Sequence, residues 1–296
     1  MKISPGVKKL IMVFCLIGLS TETFSQHNND KLIIEDINFV SEGDTLSGTM
    51  VIPSNKSKLS AVVEIHGSGK TKRNLGLAKF FATQGIAFLT YDKRGVGKSQ
   101  GKYVGGENNA SAENLILLSK DAYAAFKALK KRLSSDTVKI GLFGGSQVGW
   151  IAPVTASYDK EIRFMALMSA PVVTVGQEMH FSRIAGKNPH FFNEYSKSKI
   201  DEIIAKSPKT GFDPITYLKT LRIPVLWVYG DLDRSIPVFE SIKNLNRIQK
   251  ETNQDYKIEL LTNRDHNLSN GKNDHYALNL IIEWIKKDNL WLTAPN

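Results

Sequence analysis

Apolar and polar residues alternate over 32–40 and again over 45–52, on either side of Glu42-Gly43-Asp44, which predicts two antiparallel strands joined by a tight turn. The pattern then changes to short, mostly apolar runs at Ala61–Ile65, Ile86–Thr90, Val138–Phe143, Phe164–Met168 and Val225–Tyr229. Such runs mark parallel strands buried on both faces. One more strand is expected over Tyr256–Leu261. Between the runs, apolar positions recur at helical spacing. The clearest helix covers 112–133, where Leu115, Leu118, Ala122, Phe126 and Leu129 share a stripe. Glu113 lies near its start and Lys130, Lys131 and Arg132 near its end, the signs a helix dipole favours. Others are expected over 74–84, 147–157, 237–249 and 274–287. Strands alternating with helices in this way imply a doubly wound α/β fold on a mostly parallel, eight-stranded sheet, with chemistry at the carboxyl ends of the strands.

Two intervals stand outside this rhythm. Residues 172–221 hold no good strand and are read as a small helical cap inserted over the strand ends, or else as helices packed away from the site. The first 25 residues carry Lys2, Lys8 and Lys9, then the apolar run Leu10 to Leu19, then small and polar residues ending at Ser25. That is the pattern of a secretory signal peptide, with an apolar core too short to span a membrane. It implies export to the periplasm or the medium, leaving one domain over 26–296. Cys15, the only cysteine, lies inside that core, so no disulfide, thiolate metal site or cysteine nucleophile is expected downstream. The net charge of +10 comes from dispersed lysines without a nucleic-acid motif, and reads as solubilising charge.

The segment Ile140-Gly-Leu-Phe-Gly-Gly-Ser-Gln-Val-Gly149 runs from a strand into a glycine-flanked serine. A serine used as a nucleophile is best displayed on such a sharp strand-to-helix turn, within reach of a base. The G-x-S-x-G pattern fails only at its last position, where Val148 stands and Gly149 follows one residue late. Val148 is expected to crowd the turn, with Gly145 and Gly149 giving room, so that its replacement by glycine changes stability little and keeps or raises activity. A base and an acid should follow in the order Ser, Asp, His at later strand ends. Asp231 and Asp233 follow the strand ending at Tyr229, and His266 follows the strand ending at Leu261.

Five marks in this order resemble the α/β-hydrolase superfamily, and within it the exported carboxylesterase-like members with short caps. They are His66-Gly67-Ser68-Gly69, Tyr91 to Ser99, the Ser146 turn with Trp150 to Pro153, the Gly230 to Asp233 turn, and His266. The resemblance covers about residues 32–288. It implies a serine hydrolase cleaving carboxylic esters through an acyl-enzyme, with Ser146 as nucleophile, His266 as base and acid, and Asp233 as the orienting carboxylate. Asp231 is the rival for that last role. It further implies an oxyanion hole made by the backbone N–H groups of Gln147 and Ser68, a structural role for the charges Asp92, Lys93 and Arg94, and no metal or organic cofactor. Its partner would be a small ester or other acyl substrate, and nothing names which. A peptidase, acyltransferase or thioesterase on the same triad stays open, as does a non-catalytic binding protein keeping the pocket. Lys70, Lys72, Arg73 and Lys98 fall in loops on the substrate side, so a preference for anionic esters is weighed against simple solvation of these side chains.

Overall fold

The computed structural model describes residues 31–54, 59–134, 138–269 and 274–287. The expected leader over 1–25 lies outside them. The chain opens with β1 (Leu32–Ser41) and β2 (Asp44–Pro53), an antiparallel hairpin in full register from Leu32↔Pro53 to Ser41↔Asp44. Its two turn residues, Glu42 and Gly43, both have positive φ (48° and 84°). A two-residue loop of that kind matches the twist of the strands it joins.

Six further strands follow: β3 (Ser60–Ile65), β4 (Ile86–Tyr91), β5 (Lys139–Gly145), β6 (Ile162–Met168), β7 (Val225–Gly230) and β8 (Tyr256–Leu261). They form one eight-stranded sheet of order β1-β2-β4-β3-β5-β6-β7-β8, in which β2 meets β4 antiparallel and β3 to β8 run parallel. The apolar runs are explained by the helices on both faces. On one side α2 (Ala112–Leu133), α3 (Val148–Ser157) and α8 (Val238–Thr252) bury residues such as Leu115, Phe126, Ile151 and Leu245 against the sheet. On the other, α1 (Leu75–Thr83) and α9 (Tyr276–Lys286) do so with Phe81, Ile281 and Trp284.

The chain leaves β3 toward β4 on one side, and β5 lies on the other. The carboxyl ends of β3 and β5 are therefore direct neighbours, with Ile65 opposite Gly144. This reversal in strand order opens a crevice above the sheet, where ligands bind in such folds.

Between β6 and β7 the chain forms α4 (Val175–Ala185), α5 (Phe191–Glu194), α6 (Lys197–Ala205) and α7 (Ile215–Leu218). The first three share a small core of their own, built on Phe181, Ala185, Phe191, Ile200 and Ile204. Phe212, Leu218 and Leu221 instead belong to the main core. The start of α4 is fixed by a reciprocal cap between Thr174 and Gln177, which satisfies two otherwise orphaned amides. Among the described residues no helix is long and apolar enough to cross a membrane.

Candidate active site

Ser146 follows the last residue of β5 and precedes Val148, the first of α3. Its φ is +59°, a left-handed conformation that costs a side chain energy and persists only where the surroundings impose it. Here they do. A Cβ on Gly144 would lie 2.4 Å from the Ile65 carbonyl, one on Gly145 2.7 Å from the Met168 carbonyl, and the Ser146 N–H donates to that same Met168 oxygen at 3.0 Å. The turn is thus wedged between β3 and β6, with no room for a side chain before the serine.

Val148 is fully buried, and its methyl carbons stand 2.9 and 3.2 Å from where a Gly144 Cβ would be. The room the valine needs is made by Gly144, which corrects the expectation that Gly145 and Gly149 supply it. Gly149 has its own reason, since a Cβ there would meet Pro171 at 2.4 Å. The two residues are complementary, so Val148→Gly empties a packed site and adds backbone freedom at a helix start. It is expected to destabilise the fold by about 2–4 kcal/mol, readable as a lower thermal midpoint, contrary to the small change the motif alone implies.

Asp233 and His266 are brought together. His266 Nδ1 lies 2.8 Å from Asp233 Oδ2, and the carboxylate is fully buried. Its other oxygen accepts from the N–H groups of Ser235 and Ile236 at 2.8 and 3.0 Å. Gly230 allows the two loops to touch, because a Cβ there would lie 2.3 Å from the Arg264 carbonyl. Asp231 is occupied differently. Its Oδ1 accepts from the Arg264 N–H at 3.3 Å, fastening the acid turn to the histidine loop. Ser169 Oγ donates to the His266 carbonyl at 2.8 Å and ties that loop to the end of β6. Among the described residues the Ser146 hydroxyl forms no hydrogen bond, so the structure joins acid to histidine and leaves the serine–histidine contact open. Such contacts often tighten only when substrate binds.

The His66–Gly69 loop lies beside the serine, with Gly67 placed so that a Cβ would be 3.5 Å from Ser146 Cβ. Three of its groups are pinned. His66 is buried and its Nε2 donates to the Tyr91 carbonyl. The Gly67 carbonyl accepts from Lys93 Nζ at 2.6 Å, and the Ser68 carbonyl accepts from Tyr103 Oη and Asn109 Nδ2, both at 2.7 Å. Among the described residues the backbone N–H groups of Ser68 and Gln147 have no acceptor, although Gln147 is buried. An unpaired amide in a buried position has to be explained, and Gln147 lines a cavity in which the oxygen of a ligand would satisfy it.

That cavity holds about 430 Å³ and is lined by Ser68, Ser146 and Gln147 from the sheet side, by Tyr103 and Glu107 from the loop before α2, and by Glu178 and Met179 from α4. Its charged lining is acidic. Arg73 does not reach it, being held by Asp92 and Ser47, while Lys70 lies over the Tyr103 ring. Burial raises the Glu178 carboxyl to about 7, with His266 opposing and Asp233 adding to the shift. Burial by itself would lower the His266 imidazole, but the hydrogen bond and charge of Asp233, helped by Glu178, outweigh it and leave the group above its ordinary 6.5. A base must be neutral, so activity is expected to rise with pH through a midpoint above about 6.5. Glu178→Gln removes one of the charges that favour the imidazolium. The acid limb of kcat/KM should then move to lower pH.

The structural role expected for the charges after β4 holds for two of three. Asp92 pairs with Arg73, and Arg94 bridges Asp44 and Asp121. Lys93 has no carboxylate among the described residues within ion-pair distance and turns toward the His66–Gly69 loop instead. Asn109, Tyr103 and Glu178 were not legible from the sequence, because none belongs to a motif and each acts across a long sequence separation.

The prolyl oligopeptidase family model matches residues 76–289. No curated protein matches the chain in sequence. Among solved structures, an esterase of Pyrococcus furiosus superposes with a TM-score of 0.60 at 19% identity, covering 88% of this chain and 92% of its own. A dienelactone hydrolase from Anabaena variabilis gives 0.55 at 14%, covering 87% and 97%. An acylaminoacyl peptidase of Pyrococcus horikoshii gives 0.62 at 16%, covering 86% of this chain but 41% of the peptidase. At these identities the structures speak for the fold, and the family match speaks for the lineage. The chain belongs to the prolyl oligopeptidase family and is a serine hydrolase with the α/β-hydrolase fold.

Proposed function

We propose that this protein hydrolyses carboxylic esters through an acyl-enzyme on Ser146. The observation that carries the reading is the joint presence, around one cavity, of a serine held at positive φ and two backbone amides without acceptors, with a histidine paired to a buried aspartate on neighbouring strand ends. His266 takes the hydroxyl proton as Ser146 attacks the ester carbon, and the N–H groups of Gln147 and Ser68 hold the oxygen as it gains charge. The imidazolium returns its proton to the departing alcohol. Water then attacks the acyl-serine by the same steps in reverse order, releasing the acid and restoring the serine.

Esters are favoured over amides on physical grounds. An alkoxide leaves with less help than an amine anion, so a site able to cleave an amide also cleaves the matching ester, whereas the converse does not follow. Peptide cleavage is the second reading and is supported by the family match. The binding-protein reading rests on Val148 alone and is weakened by its fit against Gly144. Purified protein should react with a fluorophosphonate and turn over short p-nitrophenyl esters faster than the matching anilides. Reaction with neither reagent would end the hydrolase reading, and substantial turnover of the matching peptide anilides would move the assignment to peptidase.

Glu107, and Glu178 where it is ionised, line the cavity with carboxylates, which favours neutral esters over the anionic ones weighed from the sequence. Neutral esters are expected to have the lower KM when compared with carboxylated ones of equal length. The setting we propose, periplasmic or extracellular, rests on the pattern of residues 1–25.

A further inference from the structure

Of the three consecutive charges Asp92, Lys93 and Arg94, Lys93 is the one without an ion pair among the described residues. It is 3% exposed, and among the described residues its ammonium is held by neutral partners: the Gly67 carbonyl at 2.6 Å, Gln147 Oε1 at 3.4 Å, and the face of the Tyr103 ring at 5.6 Å. Burying an ammonium without a carboxylate is expensive, and such groups concentrate at functional sites. Its two hydrogen-bond partners are the residues that flank Ser146 in space. The Gly67 carbonyl belongs to the same peptide group as the Ser68 N–H, and Gln147 supplies the other free amide.

We propose that Lys93 is the positioning residue of the oxyanion hole, gripping the Gly67–Ser68 peptide by its oxygen so that the N–H on the opposite side faces the reacting carbonyl. This deepens the esterase reading and rests on it. The geometry follows from the peptide unit itself. In a trans peptide the C=O and N–H point in opposite directions, and no cis bond is present among the described residues. Fixing the oxygen therefore fixes the hydrogen. A cation on the oxygen also draws electron density along the group and makes the N–H a stronger donor, as hydrogen bonds in a chain do.

The same ammonium steadies the second amide through the Gln147 side chain, whose Nε2 donates to the carbonyl and Oδ1 of Asn109 at 3.0 and 2.6 Å. Asn109 in turn holds the Ser68 carbonyl at 2.7 Å. Lys93, Gln147 and Asn109 thus form a brace around both donors. Lys93 itself does not line the cavity, so its effect should fall on kcat, where the oxyanion is stabilised, and not on ground-state binding.

The titratable groups around Lys93 are Asp121 on α2, which is already bound by Arg94, Asp92 beside it, bound by Arg73, Lys70 over the same Tyr103 ring, and His66 with Glu64 at the end of β3. Burial lowers the Lys93 ammonium to about 8, with Asp121 acting the other way. Loss of its proton weakens the grip on Gly67. The wild type should therefore lose kcat as pH passes about 8, several-fold and not to zero, because a neutral amine still donates.

The test is ester turnover by wild type, Lys93→Met and Lys93→Arg from pH 5 to 10. Lys93→Met should lower kcat about ten-fold or more at pH 7.5, leave KM within about two-fold, and abolish the alkaline limb. Lys93→Arg should keep a cation throughout and push that limb beyond the range. If the larger guanidinium prevents folding, aminoethylated Lys93→Cys restores an ammonium and should restore kcat. A Lys93→Met enzyme with wild-type kcat, or one that keeps the alkaline limb, overturns the proposal while leaving the esterase reading intact. A wild type that neither hydrolyses esters nor takes up fluorophosphonate overturns both.

Discussion

Ser146→Ala is expected to reduce ester turnover by about four orders of magnitude or more and to abolish fluorophosphonate labelling, with the thermal midpoint within a few degrees of wild type. The size of the first effect follows from the chemistry. Without the hydroxyl no acyl-enzyme forms, and what remains is water attack helped only by binding and the two amides. The absence of a stability effect follows from the structure. The Ser146 hydroxyl holds no hydrogen bond among the described residues, and the conformation at φ +59° strains alanine about as much as serine. Residual activity near the wild-type level would place the nucleophile elsewhere. A large loss of stability would mean that the serine is a structural part of the turn.

Most of the fold was legible because each element announces itself locally. The apolar runs mark strands covered on both faces, and the β3 to β7 segments fall within two residues of where the pattern puts them. Helix α8 extends to Thr252, beyond the expected 249, because its last turn is Lys250-Glu251-Thr252, polar residues that carry no periodic signal. It stops at Asn253, whose left-handed φ of 55° is a C-terminal cap. The pairing of His266 with Asp233 was also within reach, since both follow strand ends. What the sequence could not show are relations across distance. Val148 fits because of Gly144, four residues back on the other side of a sharp turn, so a motif read position by position marks it as a fault. Lys93 acts on Gly67 and Gln147, 26 and 54 residues away, and its neighbours Asp92 and Arg94 do what charges in such loops commonly do. The acidic cavity likewise arises from Glu107 and Glu178, which belong to separate segments without recognisable motifs.

Asp233→Asn should cost about 10⁴-fold in kcat/KM, and Asp231→Asn less than about ten-fold, measured on the same ester at the pH optimum. The two substitutions remove the same charge from one turn, so the difference between them isolates what each carboxylate holds. Asp233 divides its oxygens: Oδ1 accepts from the N–H groups of Ser235 and Ile236, and Oδ2 faces His266 Nδ1. An asparagine has one oxygen. If that oxygen keeps the two backbone amides, the new NH₂ group faces Nδ1, which must then accept a hydrogen bond, and the proton moves to Nε2. An imidazole protonated at Nε2 cannot take a proton from Ser146. If the side chain flips to keep Nδ1–H, its NH₂ instead meets two backbone donors and the turn loses both bonds. Either arrangement disables the base or loosens its support. Asp231 presents a single oxygen to the Arg264 N–H, which the oxygen of asparagine replaces. A larger loss for Asp231→Asn than for Asp233→Asn would transfer the orienting role to Asp231. Equal and small losses would mean that His266 does not work through a carboxylate at all.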